Sequence, residues 1–179
     1  MATITSRSPL APEGFPDLPV VQGVRFATVA AGVRYQGRTD VMLAVLDPGT
    51  SVAGVFTNSA TRSAPVLDCQ AKLGGNGSSG AAFLVNSGNA NAFTGRHGTE
   101  SVRAITQAVS AATSIPDTRI FTASTGVIGE PLAHERITDV LDDLSAAQAP
   151  TRIKDAAKAI MTTDTFPKGS CAQVEIDGT

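Results

Sequence analysis

The sequence predicts an α/β or α+β fold in which helices pack on a mixed sheet. Short β-branched runs separated by Gly and Pro turns open the chain, whereas apolar runs alternate with helical apolar stripes later in it. The 179 residues are 42% hydrophobic and 17% charged, a composition typical of a globular domain. We expect a single domain over residues 20–179. An extended arm over residues 1–19 precedes it, because its prolines disfavour both helix and sheet.

The first half of the domain predicts mainly strands. Residues 20–33 and 41–47 are β-branched runs on either side of a polar turn, and we expect them to pair. A third strand is expected over 51–57, and a strand that passes into a short helix over 64–73. Residues 74–80, rich in Gly and Ser, predict a flexible surface loop that tolerates insertions.

Strands and helices are expected to alternate from residue 81 onward. Residues 81–86 form a continuous apolar run typical of a buried strand, and residues 119–124 predict another strand. Between them we expect a helix capped by Thr99, and two further helices should begin near Pro131 and Pro150. The apolar stripes of these three helices are Val102, Ile105, Val109 and Ala112; Ile137, Val140, Leu141 and Leu144; and Ile153, Ala156, Ala157, Ile160 and Met161.

The last residues predict a strand that has no partner within the chain. Residues 171–177 alternate apolar and polar side chains, as a half-buried strand does. Residues 176–179 resemble the start of a hairpin whose second strand is not present. We therefore expect the domain to be part of a larger fold.

Composition and charge argue against several classes of function. The net charge is −2 and no run of Lys and Arg occurs, so we expect no nucleic-acid partner. Cys69, Cys171, His97 and His134 are isolated, which predicts reduced thiols and no metal site. The N-terminus lacks a signal-type apolar core, and no window has the roughly 20 apolar residues of a membrane span. We expect a cytoplasmic protein without membrane contact.

One stretch that suggests chemistry is ASTGVIG at residues 123–129. Ser124, Thr125 and Gly126 follow an apolar strand, and a helix start is expected soon after them. Because glycine has no Cβ, such a turn can expose backbone N–H groups and hydroxyls to an anion or an oxyanion. The alternative is an ordinary strand-to-helix loop.

Two other segments are dense in small polar side chains. NSGNANA at residues 86–92 can form self-bonded Asx turns or a polar pocket wall. MTTDTFPK at residues 161–168 places threonines around Asp164 at an expected helix end, and its alternative is a hydroxyl-capped terminus. These segments contain almost no general base. An acyl-transfer enzyme built from them would need another proton acceptor, such as an N-terminal amine.

These three segments, in this order and spacing, resemble the α chain of the glutamate N-acetyltransferase family, also called ornithine acetyltransferases. The resemblance covers residues 20–178 and includes Phe56-Thr57 and residues 64–66. It implies that Thr125 and Gly126 form an oxyanion hole and that Thr162 binds substrate. Phe93 departs from the family, many members of which have Cys there. Lys168 does not correspond to the family's substrate-binding lysine.

The resemblance further implies an acetyltransferase of arginine biosynthesis that needs no cofactor. Such enzymes move acetyl from N-acetylornithine to glutamate by a ping-pong route, and some also use acetyl-CoA. Their precursor cuts itself before a threonine, which becomes the first residue of the β chain and the nucleophile. The expected partner is therefore a β chain, in an αβ heterotetramer. The alternatives are a related self-cleaving amidohydrolase or aminopeptidase, and a non-catalytic binding module.

Overall fold

The computed structural model describes residues 6–176, and a four-stranded sheet in the order β1-β2-β3-β4 lies at its centre. The first three strands are antiparallel neighbours, and β4 pairs parallel to β3. This is the mixed sheet that the sequence predicts. The strands are β1 (Val24–Val29), β2 (Val41–Leu46), β3 (Ala81–Asn89) and β4 (Ile120–Val127).

Five α-helices accompany the sheet in the described part of the chain. The longest, α2, has 19 residues and connects the parallel strands β3 and β4, which need a crossover of this kind. The helices are α1 (Ala64–Lys72), α2 (Gly95–Thr113), α3 (Glu135–Thr138), α4 (Leu141–Ala146) and α5 (Ile153–Ala159).

The main core lies between one face of the sheet and helices α2, α3 and α4. Leu43, Leu84 and Ile120 are directed to this face from three neighbouring strands and are almost fully buried. The helices contribute aliphatic side chains of the stripes expected from the sequence, namely Ile105, Val109, Ile137, Leu141 and Leu144. Burying such side chains contributes about 1.5–3 kcal/mol each, so this core provides most of the driving force for folding.

The opposite face of the sheet is only partly covered by residues 6–176. The rings of Phe83 and Phe121 stack there with centroids 5.2 Å apart, beside Cys69 of α1. Val85 is half-buried and Ala123 is exposed on the same face. This face therefore has apolar surface next to the C-terminal end of β4.

Helix α1 protects the outer edge of β4. Cys69 Sγ donates to the carbonyl oxygen of Thr122 at 3.3 Å, and Lys72 Nζ donates to that of Ile120 at 3.1 Å. These contacts satisfy carbonyl groups that an edge strand would otherwise present to other chains. Burial raises the pKa of the Cys69 thiol, which keeps it protonated and unreactive.

Three predicted strands are wrong. Residues 51–57 form no strand: Val52 and Phe56 pack against the second face, while Val55 is 98% exposed. Residues 64–68 begin helix α1, because Pro65 lies in the first turn, where its missing N–H has no consequence. Residues 171–176 form no strand and are exposed, since no strand of the described residues pairs with them; residue 177 lies outside the described part.

The helix boundaries also differ from those predicted. Helix α2 begins at Gly95 rather than after Thr99. The helix expected from Pro131 is divided into α3 and α4, and Pro131 lies before both. The buried face of α5 ends at Ala159, so that Ile160 is 40% exposed. Residues 6–19 contain neither helix nor strand, and the division of the chain at residue 20 stays a prediction.

The loop expected to be flexible is held by the buried side chain of Arg119. Its guanidinium donates to the carbonyl oxygens of Thr50 at 2.8 Å, Gly80 at 2.9 Å and Gly75 at 3.3 Å. A Cβ on Gly77 would lie 2.7 Å from the Thr50 oxygen, which shows how closely this loop packs. Residues 74–76, 78 and 79 are exposed, so the loop lies on the surface as predicted, and its tolerance of insertion stays a prediction.

We expect Arg119→Met to destabilise the fold by at least about 3 kcal/mol, because it leaves several carbonyl groups without their charged donor. Denaturant unfolding measures this change. Arg103→Met, which removes an exposed arginine from α2, is the control and should stay within about 0.5 kcal/mol. Equal stability of the two variants would contradict the role of Arg119.

Candidate functional site

The candidate site lies where the parallel strands β3 and β4 end in an irregular ladder. Ser87 lies opposite Thr125 and Gly88 opposite Gly126, after which the register shifts at Asn89. Asn89 pairs with both Thr125 and Val127. Such bulges redirect side chains and often occur beside active sites.

Gly126 is required here by close approach of the two backbones. Its φ is +136°, in the region that disfavours residues with a side chain. A Cβ at this position would lie 2.3 Å from the carbonyl carbon of Gly88 and 2.6 Å from its oxygen. The end of β4 is therefore fixed against β3 at Gly126.

Thr125 presents a half-buried hydroxyl beside this contact. By the alternation of the strand it shares the partly covered sheet face with Phe121 and Ala123. Its hydroxyl makes no hydrogen bond to another group within residues 6–176. The donor is thus available to a group that binds at the end of β4.

The asparagine-rich segment forms a buried network that stabilises the bulge. Asn86 Nδ2 donates to the Asn89 carbonyl at 2.9 Å, and Ser124 Oγ donates to Asn86 Oδ1 at 2.7 Å. The Asn91 N–H donates to Asn89 Oδ1 at 2.7 Å, which is an Asx turn. Asn86 and Asn91 are at most 1% exposed, so the turn interpretation of this segment is confirmed and the pocket-wall interpretation is not.

Thr162 lies in the segment that follows α5 and is tied to the same region by Ser87. The Ser87 hydroxyl donates to the carbonyl of Ala159, the last residue of α5, at 2.8 Å. Because Ser87 lies opposite Thr125 in the sheet, this bond holds the end of α5 near the end of β4. The structure records no hydrogen bond from Thr162 to Thr125 or Gly126 within the described range. The roles assigned to these three residues stay predictions.

Asp164 stabilises the local turn rather than a helix end. It accepts the N–H of Thr162 at 3.3 Å and pairs with Lys168. The hydrogen bond from Lys168 lowers the pKa of the Asp164 carboxyl. The sequence predicts a helix end at Asp164, but α5 ends earlier, at Ala159.

Sequence reasoning missed the loop between β1 and β2, which contacts the bulge. The buried carboxylate of Asp40 accepts the backbone N–H groups of Ala31 at 2.8 Å and Val33 at 2.6 Å. A Cβ on Gly88 would meet Arg34 Cβ at 2.9 Å and the Tyr35 ring at 3.4 Å. A single Asp before a strand is too common to have indicated this arrangement.

An apolar pocket of about 330 Å³ adjoins the site from the side of α1. Phe56, Cys69, Phe83 and Phe121 line it, and it reaches Ser124, the neighbour of Thr125.

Within residues 6–176, no group of three or more His, Cys, Asp or Glu side chains could hold a metal ion. None of the helices in residues 6–176 combines the length and the hydrophobicity that a membrane-spanning helix needs.

Known proteins resemble this chain along nearly its whole length. The bifunctional arginine-biosynthesis protein ArgJ of Ruegeria pomeroyi is 68% identical over 178 residues, which cover 99% of this chain and 44% of that protein. ArgJ of Nitrobacter winogradskyi is 53% identical over 174 residues, which cover 96% of this chain and 42% of that protein. The chain thus spans less than half the length of these relatives.

Solved structures match the fold as well. The crystal structure of ArgJ from Bacillus halodurans superposes with a TM-score of 0.78 at 29% identity, covering 88% of this chain and 82% of that one. Ornithine acetyltransferase from Mycobacterium tuberculosis, solved with ornithine, gives a TM-score of 0.74 at 35% identity. The match covers 80% of this chain and 77% of that one. The model of the ArgJ family matches residues 25–179, and the chain therefore belongs to this family.

Proposed function

We propose that this chain is the α part of an acetyltransferase that moves acetyl from N-acetylornithine to glutamate. Thr125 and Gly126 form the oxyanion hole in this proposal. The observation that supports it best is the bulge, which fixes Gly126 against Gly88 and leaves the Thr125 hydroxyl without a partner among residues 6–176. A donor fixed before the reaction stabilises developing charge without reorganisation.

The nucleophile and the base must come from elsewhere in the protein. Thr125, Gly126 and Thr162 carry no group that accepts a proton near neutral pH. We propose that the threonine at the start of a β chain attacks the acetyl carbonyl and that its own α-amino group takes the proton. As the oxyanion collapses and the C–N bond breaks, the same amino group gives this proton to the leaving nitrogen, and ornithine is released. The amino group of glutamate then attacks the acetyl-threonine, and its proton passes to the threonine oxygen as the ester bond breaks, which completes the ping-pong cycle.

The partner in this proposal is a β chain cut from the same precursor. Membership of the ArgJ family and the greater length of its relatives support this arrangement. We further propose an αβ heterotetramer in the cytoplasm that is active only with both chains and uses no cofactor. Acetyl-CoA is an alternative acetyl donor for the same site.

Product analysis with the full-length protein tests the proposed function. Incubation with N-acetylornithine and glutamate should yield ornithine and N-acetylglutamate in equal amounts. Omission of glutamate should nearly stop ornithine release. Release at an undiminished rate without glutamate would show a hydrolase and contradict transfer. A parallel reaction with acetyl-CoA as the donor shows whether acetyl-CoA is accepted.

We expect Thr162→Ala to raise KM for N-acetylornithine and glutamate about 3- to 10-fold with little change in kcat. A hydroxyl contact made equally in the ground and transition states contributes uniform binding, worth about 0.5–1.5 kcal/mol. Steady-state kinetics measure the effect, with Thr163→Ala, at the exposed neighbouring position, as control. Unchanged KM values for both substrates would remove Thr162 from the site.

A further inference from the structure

We propose that Asp40 is a positioning residue for the oxyanion hole. Its buried carboxylate fixes the β1–β2 loop, residues 30–40, and this loop supports Gly88, which contacts Gly126. The role rests on the proposed function, in which Thr125 and Gly126 form the hole. Three sets of contacts support it: those of Asp40 with the loop, those of the loop with Gly88, and that of Gly88 with Gly126.

Asp40 is fully buried and anchored to both neighbouring strands. Its backbone N–H donates to the Val29 carbonyl of β1 at 3.1 Å, and its carbonyl accepts the N–H of Ser87 of β3 at 2.8 Å. From this base, its carboxylate accepts the N–H groups of Ala31 at 2.8 Å and Val33 at 2.6 Å. One residue therefore fixes the first part of the loop against the sheet.

A carboxylate suits this position because it only accepts hydrogen bonds. Each of the two oxygens of Asp40 receives one loop N–H. No Lys, Arg or His side chain of residues 6–176 forms an ion pair with it. Burying a carboxylate without a cation is costly, so these two hydrogen bonds are needed to stabilise its charge. An amide at this position would keep one acceptor and turn its NH2 group toward the other N–H.

The loop holds the bulge at two points. A Cβ on Gly88 would meet Arg34 Cβ at 2.9 Å and the Tyr35 ring at 3.4 Å, so the loop packs directly on this glycine. Arg34 also forms an ion pair with Glu130, and Asn89 Nδ2 donates to the carbonyl of Glu130 at 3.0 Å. The loop is thus in contact with β3 at the bulge and with the segment that follows β4.

Gly88 is the residue through which the loop reaches the hole. A Cβ on Gly126 would lie 2.3 Å from the Gly88 carbonyl carbon and 2.6 Å from its oxygen, so the two backbones touch. A displacement of Gly88 therefore moves the N–H of Gly126 or opens this contact. An oxyanion donor contributes only when it is directed at the oxygen in the transition state, and a misplacement of about 1 Å can cost about 10²-fold in rate.

The test is a double-mutant cycle with Asp40→Asn and Thr125→Ala in the full-length, cleaved protein. We expect Asp40→Asn to lower kcat for acetyl transfer about 10- to 30-fold and to change KM less than about threefold. In the Thr125→Ala background, the factor by which Asp40→Asn lowers kcat should be at least about three times smaller, because the hole is already impaired.

Arg119→Met is the control for a general loss of stability. Residue 119 lies about 20 Å from Thr125 along β4, at the rise of a β-strand, and its side chain contacts carbonyl groups away from the bulge. At a temperature where this variant is folded, its kcat should stay within about threefold of wild type.

Tyr35 provides a second test, which applies even if Asp40→Asn yields no cleaved protein. Tyr35 is half-buried, and its replacement leaves the hydrogen bonds of Asp40 in place. Tyr35→Ala removes the ring that packs on Gly88 and should lower kcat about 3- to 10-fold. Tyr35→Phe keeps the ring and should recover most of this loss.

The outcomes separate this role from the proposed function. Additive losses in the cycle, or an equal fall of kcat in Arg119→Met, would show that Asp40 stabilises the fold without positioning the hole, and would overturn the role. Wild-type kcat in Tyr35→Ala would also overturn it, because the loop would then give Gly88 no support. All three results leave acetyl transfer by the wild-type protein intact. Wild-type protein that transfers no acetyl from N-acetylornithine would overturn the proposed function itself, and this role with it.

Discussion

Replacing Thr125 by alanine is expected to lower kcat for acetyl transfer by about 10²–10³, with little change in KM. In its proposed role the hydroxyl donates to charge that exists mainly in the transition state, so its loss should slow the chemical step rather than weaken binding. Alanine keeps the backbone N–H, and the variant therefore tests the side chain alone. Rates are measured on protein whose cleavage into two chains has been confirmed, because a loss of self-cleavage in the variant would also lower the rate.

Two control variants accompany Thr125→Ala. Thr125→Ser keeps the hydroxyl and should retain most of the activity. Thr122→Val removes a buried hydroxyl of the same strand that has no hydrogen-bond partner in the described structure, so activity and stability should be preserved. Transfer by processed Thr125→Ala within about threefold of wild type, roughly 0.6 kcal/mol, would show that the side chain is not an oxyanion donor.

Gly126→Ala is expected to abolish acetyl transfer and to destabilise the fold. The new Cβ would lie 2.3 Å and 2.6 Å from backbone atoms of Gly88, which cannot move without separating β3 from β4. The positive φ of Gly126 adds backbone strain. The clash and the strain should each lower the free energy of unfolding by about 1–3 kcal/mol. Denaturant unfolding and the transfer assay measure the two consequences.

Gly129→Ala separates the strain from the steric clash. Gly129 has a φ of +84°, but a Cβ there would meet no atom within 4 Å. This variant should lose about 1 kcal/mol of stability and keep most of its activity. If Gly126→Ala were as stable and as active as Gly129→Ala, close packing at the bulge would not matter for the site.

The sequence predicts the sheet well where hydrophobic runs are long and both neighbours are present. Strands β1 to β4 and the stripe of α2 follow from periodicity because their apolar residues face the core. Residues 51–57 and 171–176 have strand-like patterns but find no partner strand in the described structure. A strand is stabilised by its neighbours, and alternation alone does not supply them.

Parts of the candidate site could be predicted and parts could not. Thr125 and Gly126 are indicated by small residues after an apolar strand, and the structure shows why glycine is needed there. Asp40 is distant in sequence from both and carries no local signal. It holds the β1–β2 loop, which packs on Gly88, and this contact depends on tertiary structure.

The most direct test of the account is to locate the acetyl group on the enzyme. Full-length, cleaved protein is mixed with N-acetylornithine without glutamate, quenched, and analysed chain by chain by intact-mass spectrometry. We expect one acetyl group on the N-terminal threonine of the β chain, none on residues 1–179, and loss of the adduct when glutamate is added before quenching. An acetyl group on this chain that glutamate removes would contradict the claim that it supplies the oxyanion hole and not the nucleophile.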